Sequence, residues 1–481
     1  MLKLFIIVNI IECMLYGKNG NAAGRRKISG YVFLKGEISM NEAKTKADAF
    51  LKKYGMHYDS IDIIRESKIF IDEMEKGLSL EKSSLKMLPT YISLDKDIPA
   101  MEPVIVMDAG GTNFRIAVVH FDSSRQPVVE DFRSYAMPGT NGEISKEEFF
   151  STIAGYLAPV FDKSDKIGFC FSYPTEILKN KDGRLITLVK EVKVRDIEGE
   201  VIGAALLQKI KEMGYESEKK IVLLNDSAAT LLGGKAAFQN REFDSFIGFI
   251  LGTGLNACYL EENKNIIKDE FLSSADGNTL VNIESGGYSK APRGTIDERF
   301  DSHSGNPGSQ QLEKMISGAY QGGLMLEIIR EAVSEGLFSV HFSNNICNVK
   351  VLHAREIDEF CFYPYLSSNV LAGCIGSGEN AREGNDRLTL YYIINDITER
   401  AAKLVAVNLG AVIIKTQKGK NPCKPVCITA DGSAFYKSKL FKTKLDYYVK
   451  EVLNDKMDIY CEFVKVDNAN FIGTAIAGIL N

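Results

Sequence analysis

The chain lacks a cysteine framework, of disulfides or of a zinc site. Its nine cysteines, an odd number, are scattered, and the nearest pair, Cys423 and Cys427, has no neighbouring Cys or His to complete a metal site. They read as reduced, mostly buried thiols of a reducing compartment, which points to a cytoplasmic protein. There is little excess charge of either sign: 58 Lys and Arg stand against 63 Asp and Glu, a net charge of −5 spread evenly. That argues against a nucleic-acid surface and against a polybasic membrane patch. No G-x-x-x-x-G-K-[ST] occurs anywhere, which excludes the familiar P-loop.

Long apolar runs are also missing. The stretch LFIIVNIIECML (residues 4–15) follows Lys3 and faintly resembles a secretory signal, but Asn9 and Glu12 interrupt it. It falls short of the roughly 20 apolar residues that span a bilayer, so no stable membrane insertion is expected. A helical pattern with a fresh start begins at Met40. Residues 1–39 therefore read as a disordered or non-native extension, with a short membrane-touching tail as the alternative.

What is present is the composition of a soluble globular protein, 45% hydrophobic and a quarter charged over 481 residues. That length favours two domains over one core. Helical spacing covers 41–78, 145–160, 199–213 and 387–415, and a long helix pattern starts near Leu312. Strand patterns fall at 104–108, 114–121, 166–172, 220–226, 246–260 and 425–432, with Gly- and Ser-rich loops from about 261 to 310. Alternating strands and helices define an α/β fold.

A pseudo-repeat lies within this alternation. VIVMDAGGTNFRIAVVHF and FIGFILGTGLNACYLEE share one plan, an apolar strand, a Gly-Thr turn and a second apolar strand, about 140 residues apart. Glycines without Cβ let main-chain N–H groups converge, and such concavities bind phosphate. In the first hairpin Thr112 and Asn113 add donors, Asp108 is placed to hold a cation's water shell, and Arg115 can reach a phosphate. Either hairpin alone is also compatible with a tight turn that binds nothing. Together they imply a nucleotide polyphosphate held between two glycine turns.

Other polar residues interrupt apolar segments, and each has a purely structural alternative. Asn225 and Asp226 end the strand IVLLND, where ligands of open α/β sheets sit, yet Asp or Ser there also caps a helix. Ser172 ends the strand GFCFS, Lys190 stands in a charged run, and Asn256 interrupts an apolar strand. Glu284 lies in a glycine-rich loop, and Glu313 at a helix start suits the positive end of the dipole.

In order and spacing, MDAGGTNFR, GFCFSYP, LLNDSAAT, LGTGLNACYLE, NIESGGY, QQLEKMISGAYQG and ADGSAFY resemble the hexokinase family. MEKGL and SLKMLPTYI resemble that family's leading segment, and the resemblance runs from about residue 60 to the C-terminus. It implies an actin-like ATPase (ribonuclease H-like) fold with two α/β domains around a central cleft. The large domain would be 40–95 and 226–463, and the small domain 96–225 and 464–481. The implied reaction moves the γ-phosphoryl of ATP to the 6-hydroxyl of a hexose, most often glucose, as the first step of glycolysis. Asp226 matches the general base. Ser172, Lys190, Asn225, Asn256, Glu284 and Glu313 match the residues that hold the sugar. Asp108, Gly110, Gly111, Thr112, Asn113 and Arg115 match the first phosphate loop, Gly252, Thr253 and Gly254 the second, and Asp431, Gly432 and Ser433 the loop beside the adenosine. Mg²⁺ would arrive with ATP near Asp108, without a dedicated protein cage. The expected partners are ATP and a hexose, with no nucleic acid, in a monomer or homodimer.

Three positions depart from the family pattern. Val189 stands before Lys190 where a threonine is usual, Ser285 replaces an aromatic after Glu284, and DNANFIGTA (467–475) replaces a Gly/Ser-rich nucleotide segment. They leave open a kinase for mannose, fructose or another hexose, and a catalytically idle sugar sensor. An actin- or chaperone-like ATPase would lack the sugar residues. A repressor of the related sugar-kinase type would need a DNA-binding helix pair and usually a zinc loop, and neither is seen in the sequence.

Overall fold

The apolar runs VIVM and KIGFCF are buried on both faces, as strands covered on each side by helices must be. A computed structural model describes residues 40–94, 97–188, 192–215, 218–238, 241–376 and 381–481. The expectation for residues 1–39, and that for Lys190, lie outside the described residues.

Two sheets carry the fold. Strand β1 (Leu88–Pro89) belongs to the second. The first is built wholly from β2 (Val104–Gly110), β3 (Asn113–Phe121), β4 (Pro127–Ala136), β5 (Lys166–Phe171) and β6 (Lys220–Leu224), in the order β6-β5-β2-β3-β4. The second adds β7 (Ser245–Leu251), β8 (Leu255–Glu262), β9 (Asn278–Asn282), β10 (Val426–Asp431) and β11 (Cys461–Val464), in the order β1-β9-β8-β7-β10-β11. The pseudo-repeat extends beyond the two hairpins. In each sheet an antiparallel run of three strands (β2-β3-β4, β7-β8-β9) is continued by two parallel strands beside its first member. The two five-strand units share strand order and pairing sense.

Helices α1 (Met40–Lys53) and α2 (Ile63–Leu78) fill the segment 41–78, which the apolar spacing reads as continuous. The break has local causes: Gly55 takes a left-handed φ of +67°, and the Asp62 carboxylate caps α2 by accepting from the N–H groups of Ile64 and Arg65, both at 3.1 Å. Helix α3 (Asp226–Ala237) follows β6 directly. The expected long helix near Leu312 is two, α4 (Gln311–Ile316) and α5 (Gly318–Ser334), separated at Ser317. Helix α6 (Ala381–Thr416) is one span of 36 residues, and α7 (Ala469–Leu480) follows β11. The region 261–310 is not all loop: it contains β9 and a helix, Thr295–Ser302.

Helices α3 and α7 occupy equivalent places in the two units, and each packs on the other unit's sheet, α3 on β7 and α7 on β2 and β5. They cross at two glycines. A Cβ at Gly233 would lie 2.3 Å from the Ala469 carbonyl oxygen, and one at Gly473 would lie 1.8 Å from that of Ala229. Only a residue without a side chain permits this approach. The crossing fixes where α3 begins, and hence where Asp226 stands. Among the described residues, no helix is long and apolar enough to cross a membrane.

Candidate active site

The first hairpin closes between Gly110 and Asn113, which are directly paired, so Gly111 and Thr112 form a two-residue loop. Gly111 has φ +68°, the left-handed geometry such loops demand. Neighbouring segments hold the turn. The Met137 N–H donates to the Thr112 carbonyl at 2.9 Å, and the Tyr173 hydroxyl to that of Gly111 at 3.4 Å. Thr112 and Asn113 are exposed, with the Asn113 amide 3.4 Å from the Thr112 hydroxyl. Asp108 and Arg115 face each other across the hairpin, Arg115 Nη1 lying 3.5 Å from Asp108 Oδ2.

Ser172 leaves β5 beside this loop. Its N–H donates to the Ala109 carbonyl at 3.1 Å, and a Cβ at Gly110 would be 3.5 Å from its hydroxyl. Cys170, fully buried one turn of strand earlier, connects the hairpin to α3. Burial first, then the Asp108 and Asp226 carboxylates, push its thiol well above the usual range. Asp108, of the expected first phosphate loop, and Asp226, the expected base, thus share one buried neighbour.

Asn225 is the cap of α3: its Oδ1 accepts from the N–H and the hydroxyl of Ser227, both at 2.8 Å. Asp226 is the first helical residue rather than the cap, and its Oδ1 accepts from the Ser227 N–H at 2.8 Å. Asn225 holds the capping position, and the Asp226 carboxylate accepts the same first-turn N–H, so the structural role expected for Asp226 is also present.

From Asn225 an amide and carboxylate network spreads over the second sheet. Asn256 Nδ2 lies 3.3 Å from Asn225 Oδ1, 2.8 Å from Asn282 Oδ1 and 3.4 Å from Glu284 Oε1. Asn282 Nδ2 donates to Glu284 Oε1 at 2.8 Å. Glu284 is held in the left-handed region at φ +59°, a strained conformation for a non-glycine residue that costs of order 1–3 kcal/mol. Its loop is therefore tied down instead of solvated. Asn282 is missing from the residues singled out in the sequence. Its signal was an asparagine ending the apolar strand TLVN.

Glu313 stands between the Glu284 loop and the second hairpin: a Cβ at Gly286 would lie 3.1 Å from its Oε2. Its Oε2 accepts the Leu255 N–H at 2.8 Å, immediately after Gly254. Helix α4 is anchored by the adjacent buried Lys314, whose ammonium donates to Asp301 (2.5 Å), the Ser304 hydroxyl (2.8 Å) and the Asn306 carbonyl (2.7 Å). The hairpin is fixed from its other side too. The N–H groups of Gly318 and Ala319 donate to the carbonyls of Gly252 (2.8 Å) and Thr253 (3.1 Å), at the start of α5. The loop of Asp431, Gly432 and Ser433 abuts it: a Cβ at Gly252 would come 3.4 Å from Gly432 Cα. Gly432 N–H donates to Asp431 Oδ1 at 2.7 Å.

Two of the three departures fall on described residues. Ser285 is buried, its N–H 3.3 Å from Asn256 Oδ1 and its hydroxyl 3.5 Å from Asn408 Oδ1 on α6. A small polar residue thus accompanies the buried Asn408 amide. Of residues 467–475, Asp467 and Asn468 precede α7, Asn468 being left-handed at φ +56°, and residues 469–475 form its first half.

Two Hexokinase family models match the chain in tandem, over residues 46–236 and 246–480. Human Hexokinase-2 is 30% identical over 436 residues, 85% of this chain and 45% of the relative. Hexokinase-1 of Schizosaccharomyces pombe is 26% identical over 429 residues, 85% of this chain and 86% of the relative. The chain thus spans about half the length of the mammalian Hexokinase-2 relatives it matches. Among solved structures, a Schistosoma mansoni hexokinase complexed with glucose is 21% identical, covers 92% of this chain and 100% of its own, and superposes with a TM-score of 0.73. Its likeness establishes the fold: two packed α/β units of the actin-like ATPase type. The paired family matches, on this fold, show that the chain belongs to the hexokinase family.

Proposed function

We propose that the protein transfers the γ-phosphoryl group of Mg-ATP to the 6-hydroxyl of a hexose, glucose first among them, with Asp226 as the general base. The carrying observation is the Asn225–Asn256–Asn282–Glu284 network, which begins one residue before Asp226, with Glu313 separately bonded to the strand that leaves the second glycine hairpin. A hexose presents many hydroxyls, each both donor and acceptor. Amides and carboxylates held in fixed orientations can satisfy them in one pose, and leaving buried groups mispaired is costly.

The chemistry asks little of covalent catalysis. Phosphoryl transfer has a loose transition state, so positioning and charge neutralisation dominate. Asp226 need only lie within hydrogen-bond reach of a hydroxyl that becomes acidic as its oxygen bonds to phosphorus. Main-chain N–H groups at Gly110–Thr112 and Gly252–Gly254 would hold the phosphates, and Arg115 would add a positive charge. Asp108 offers the hard oxygen donor that suits magnesium through its water shell. Magnesium, when bound with the nucleotide, would neutralise phosphate charge.

Water is the competing nucleophile, and closure around the sugar would exclude it. The two bodies that close would be 40–95 with 226–463 and 96–225 with 464–481. Sheet membership supports this division, since the first sheet is drawn wholly from 104–224 and α7 packs upon it. Action in the cytoplasm at the entry to glycolysis follows from this reading.

ADP release by the purified chain with Mg-ATP and separate hexoses tests the proposal. Glucose should support turnover, and Asp226→Asn should lower kcat by about 10²–10⁴ while leaving sugar affinity within a few-fold. Near-normal turnover by that variant would refute the base assignment. A second reading, a kinase preferring mannose or fructose, rests on Val189 and Ser285. It gains if kcat/KM for either sugar exceeds that for glucose. No ADP release with any hexose would leave an idle sugar-binding homologue.

A further inference from the structure

Far along the chain from these residues, three ligand-type side chains converge where α1, the α1–α2 connection and α6 meet. His57 and Asp396 are buried, with side chains 3% and 1% exposed, and Asp48 is partly exposed at 26%. His57 Nε2 lies 3.8 Å from Asp48 Oδ1 and 3.8 Å from Asp396 Oδ2, and the three donor atoms fall within 4.8 Å of one another. His57 Nε2 has no hydrogen-bond partner, and Asp396, beside that ring, also faces the Asp48 carboxylate, with which it can share a proton. The three groups thus point at the same space, and the buried His57 Nε2 is left unsatisfied at a cost of about 1–3 kcal/mol.

We propose that Asp48, His57 and Asp396 form a binding site for a divalent transition-metal cation of the zinc class, which clamps α1 and its following turn to α6. One imidazole and two carboxylates suit such an ion. Tetrahedral bonds of about 2.0–2.2 Å set donors roughly 3.3–3.6 Å apart, so each 3.8 Å His57–carboxylate spacing needs a small contraction, and the two carboxylates must also draw together. The partly exposed Asp48 edge gives an entry path and room for a water as fourth ligand.

The surrounding groups fit this role. Asp396 Oδ1 is already oriented by Asn395 Nδ2 at 2.9 Å, leaving Oδ2 for the ion. His57 Nδ1 lies 3.2 Å from the Asp59 N–H and 3.3 Å from Asp59 Oδ2. It can accept from the first while the site is empty. Carrying the proton, it can donate to the second while Nε2 binds metal, the arrangement that orients a ligating histidine. Lys44 Nζ donates to both oxygens of Asp48 at 2.8 Å and so competes with a metal for that carboxylate. Arg400, one turn further along α6, is committed to Asp297.

Equilibrium dialysis and calorimetry of the full chain with ZnCl₂ and with CoCl₂ test the site. The expected result is one equivalent bound, with Co²⁺ giving visible d–d absorption, and a thermal midpoint that rises with metal concentration. His57→Gln and Asp396→Asn should each weaken this equivalent at least about tenfold and abolish the Co²⁺ bands. Comparison with these variants separates the site from adventitious binding at the exposed thiols of Cys347 and Cys423. Lys44→Met should tighten binding, because it removes the competing ammonium. Should a core variant fail to fold, Asp48→Asn at the exposed edge replaces it. The proposal is overturned if wild type binds no equivalent, if His57→Gln or Asp48→Asn binds as tightly as wild type, or if Lys44→Met binds more weakly.

Discussion

Glu313 Oε2 accepts the main-chain N–H of Leu255 at 2.8 Å, so a carboxylate that matches the family's sugar-holding residues also fixes the strand leaving the second glycine hairpin. A sugar that reorients Glu313 must disturb the hairpin as well. Glu313→Ala should therefore raise KM for both hexose and ATP, each by about 10- to 100-fold, the equivalent of roughly 1–3 kcal/mol. Glu313→Gln keeps an acceptor for Leu255 and should recover most of the ATP effect but not the hexose effect. Steady-state kinetics with each substrate varied checks both. An ATP KM unchanged in Glu313→Ala would show that the bond does not support the hairpin.

The crossing of α3 and α7 is sensitive to single atoms. Gly473→Ala places a methyl 1.8 Å from the Ala229 carbonyl and must push the helices apart. It should destabilise the fold by about 1–3 kcal/mol. Because α3 carries Asp226 at its start, kcat should fall with it. Denaturant unfolding together with turnover at a temperature where the variant is folded measures both effects. Gly305→Ala, where a Cβ meets nothing within 4 Å, is the matched control and should change neither.

Arg400 and Asp297 form a buried bidentate pair, with Nη1 and Nη2 donating at 2.7 and 2.8 Å. Removing one partner strands the other charge in the core. Arg400→Met should cost about 3–5 kcal/mol, and Arg400→Met with Asp297→Leu together should cost less than the sum of the two single changes. Urea unfolding of the four species in a double-mutant cycle gives the coupling.

Thiol reactivity should follow burial. Cys347 and Cys423 are exposed. Burial pushes the Cys361 and Cys427 thiols up to about 12 and raises those of Cys170, Cys258 and Cys374 as well. The thiolate is the reactive form, so at pH 8 these five stay protonated and shielded. Alkylation of the native protein read by peptide mass spectrometry should mark Cys347 and Cys423 quickly and these five only after unfolding.

The parts that the sequence announced are those with local signatures. Buried strands rich in Val, Ile and Phe, and glycine turns repeated in two copies, revealed the α/β alternation and both hairpins. Strand β4 was missed because it is an exposed edge, with charged residues in PVVEDFRSYA where alternation would show. Strand β9 was missed for the opposite reason: five residues among glycines and serines are too short to display a period. The helix break near Gly55 was hidden by apolar residues that keep helical spacing on both sides. Asn282 acts only through side chains on neighbouring strands, and its amide looks ordinary until Asn256 and Glu284 are beside it. The meeting of residues 48, 57 and 396 depends wholly on how α1 docks against α6, which no window of sequence can contain.

The exchange of α3 and α7 between the two sheets bears on the order in which the molecule can be made. The first sheet is complete once residue 224 has left the ribosome, but a helix that covers its face is written only at residues 469–480, after the whole of the second sheet. Until α7 emerges, β2 and β5 must keep an apolar surface waiting, which makes the nascent chain a natural client for chaperones and makes residues 469–480 the segment that closes the first sheet's packing.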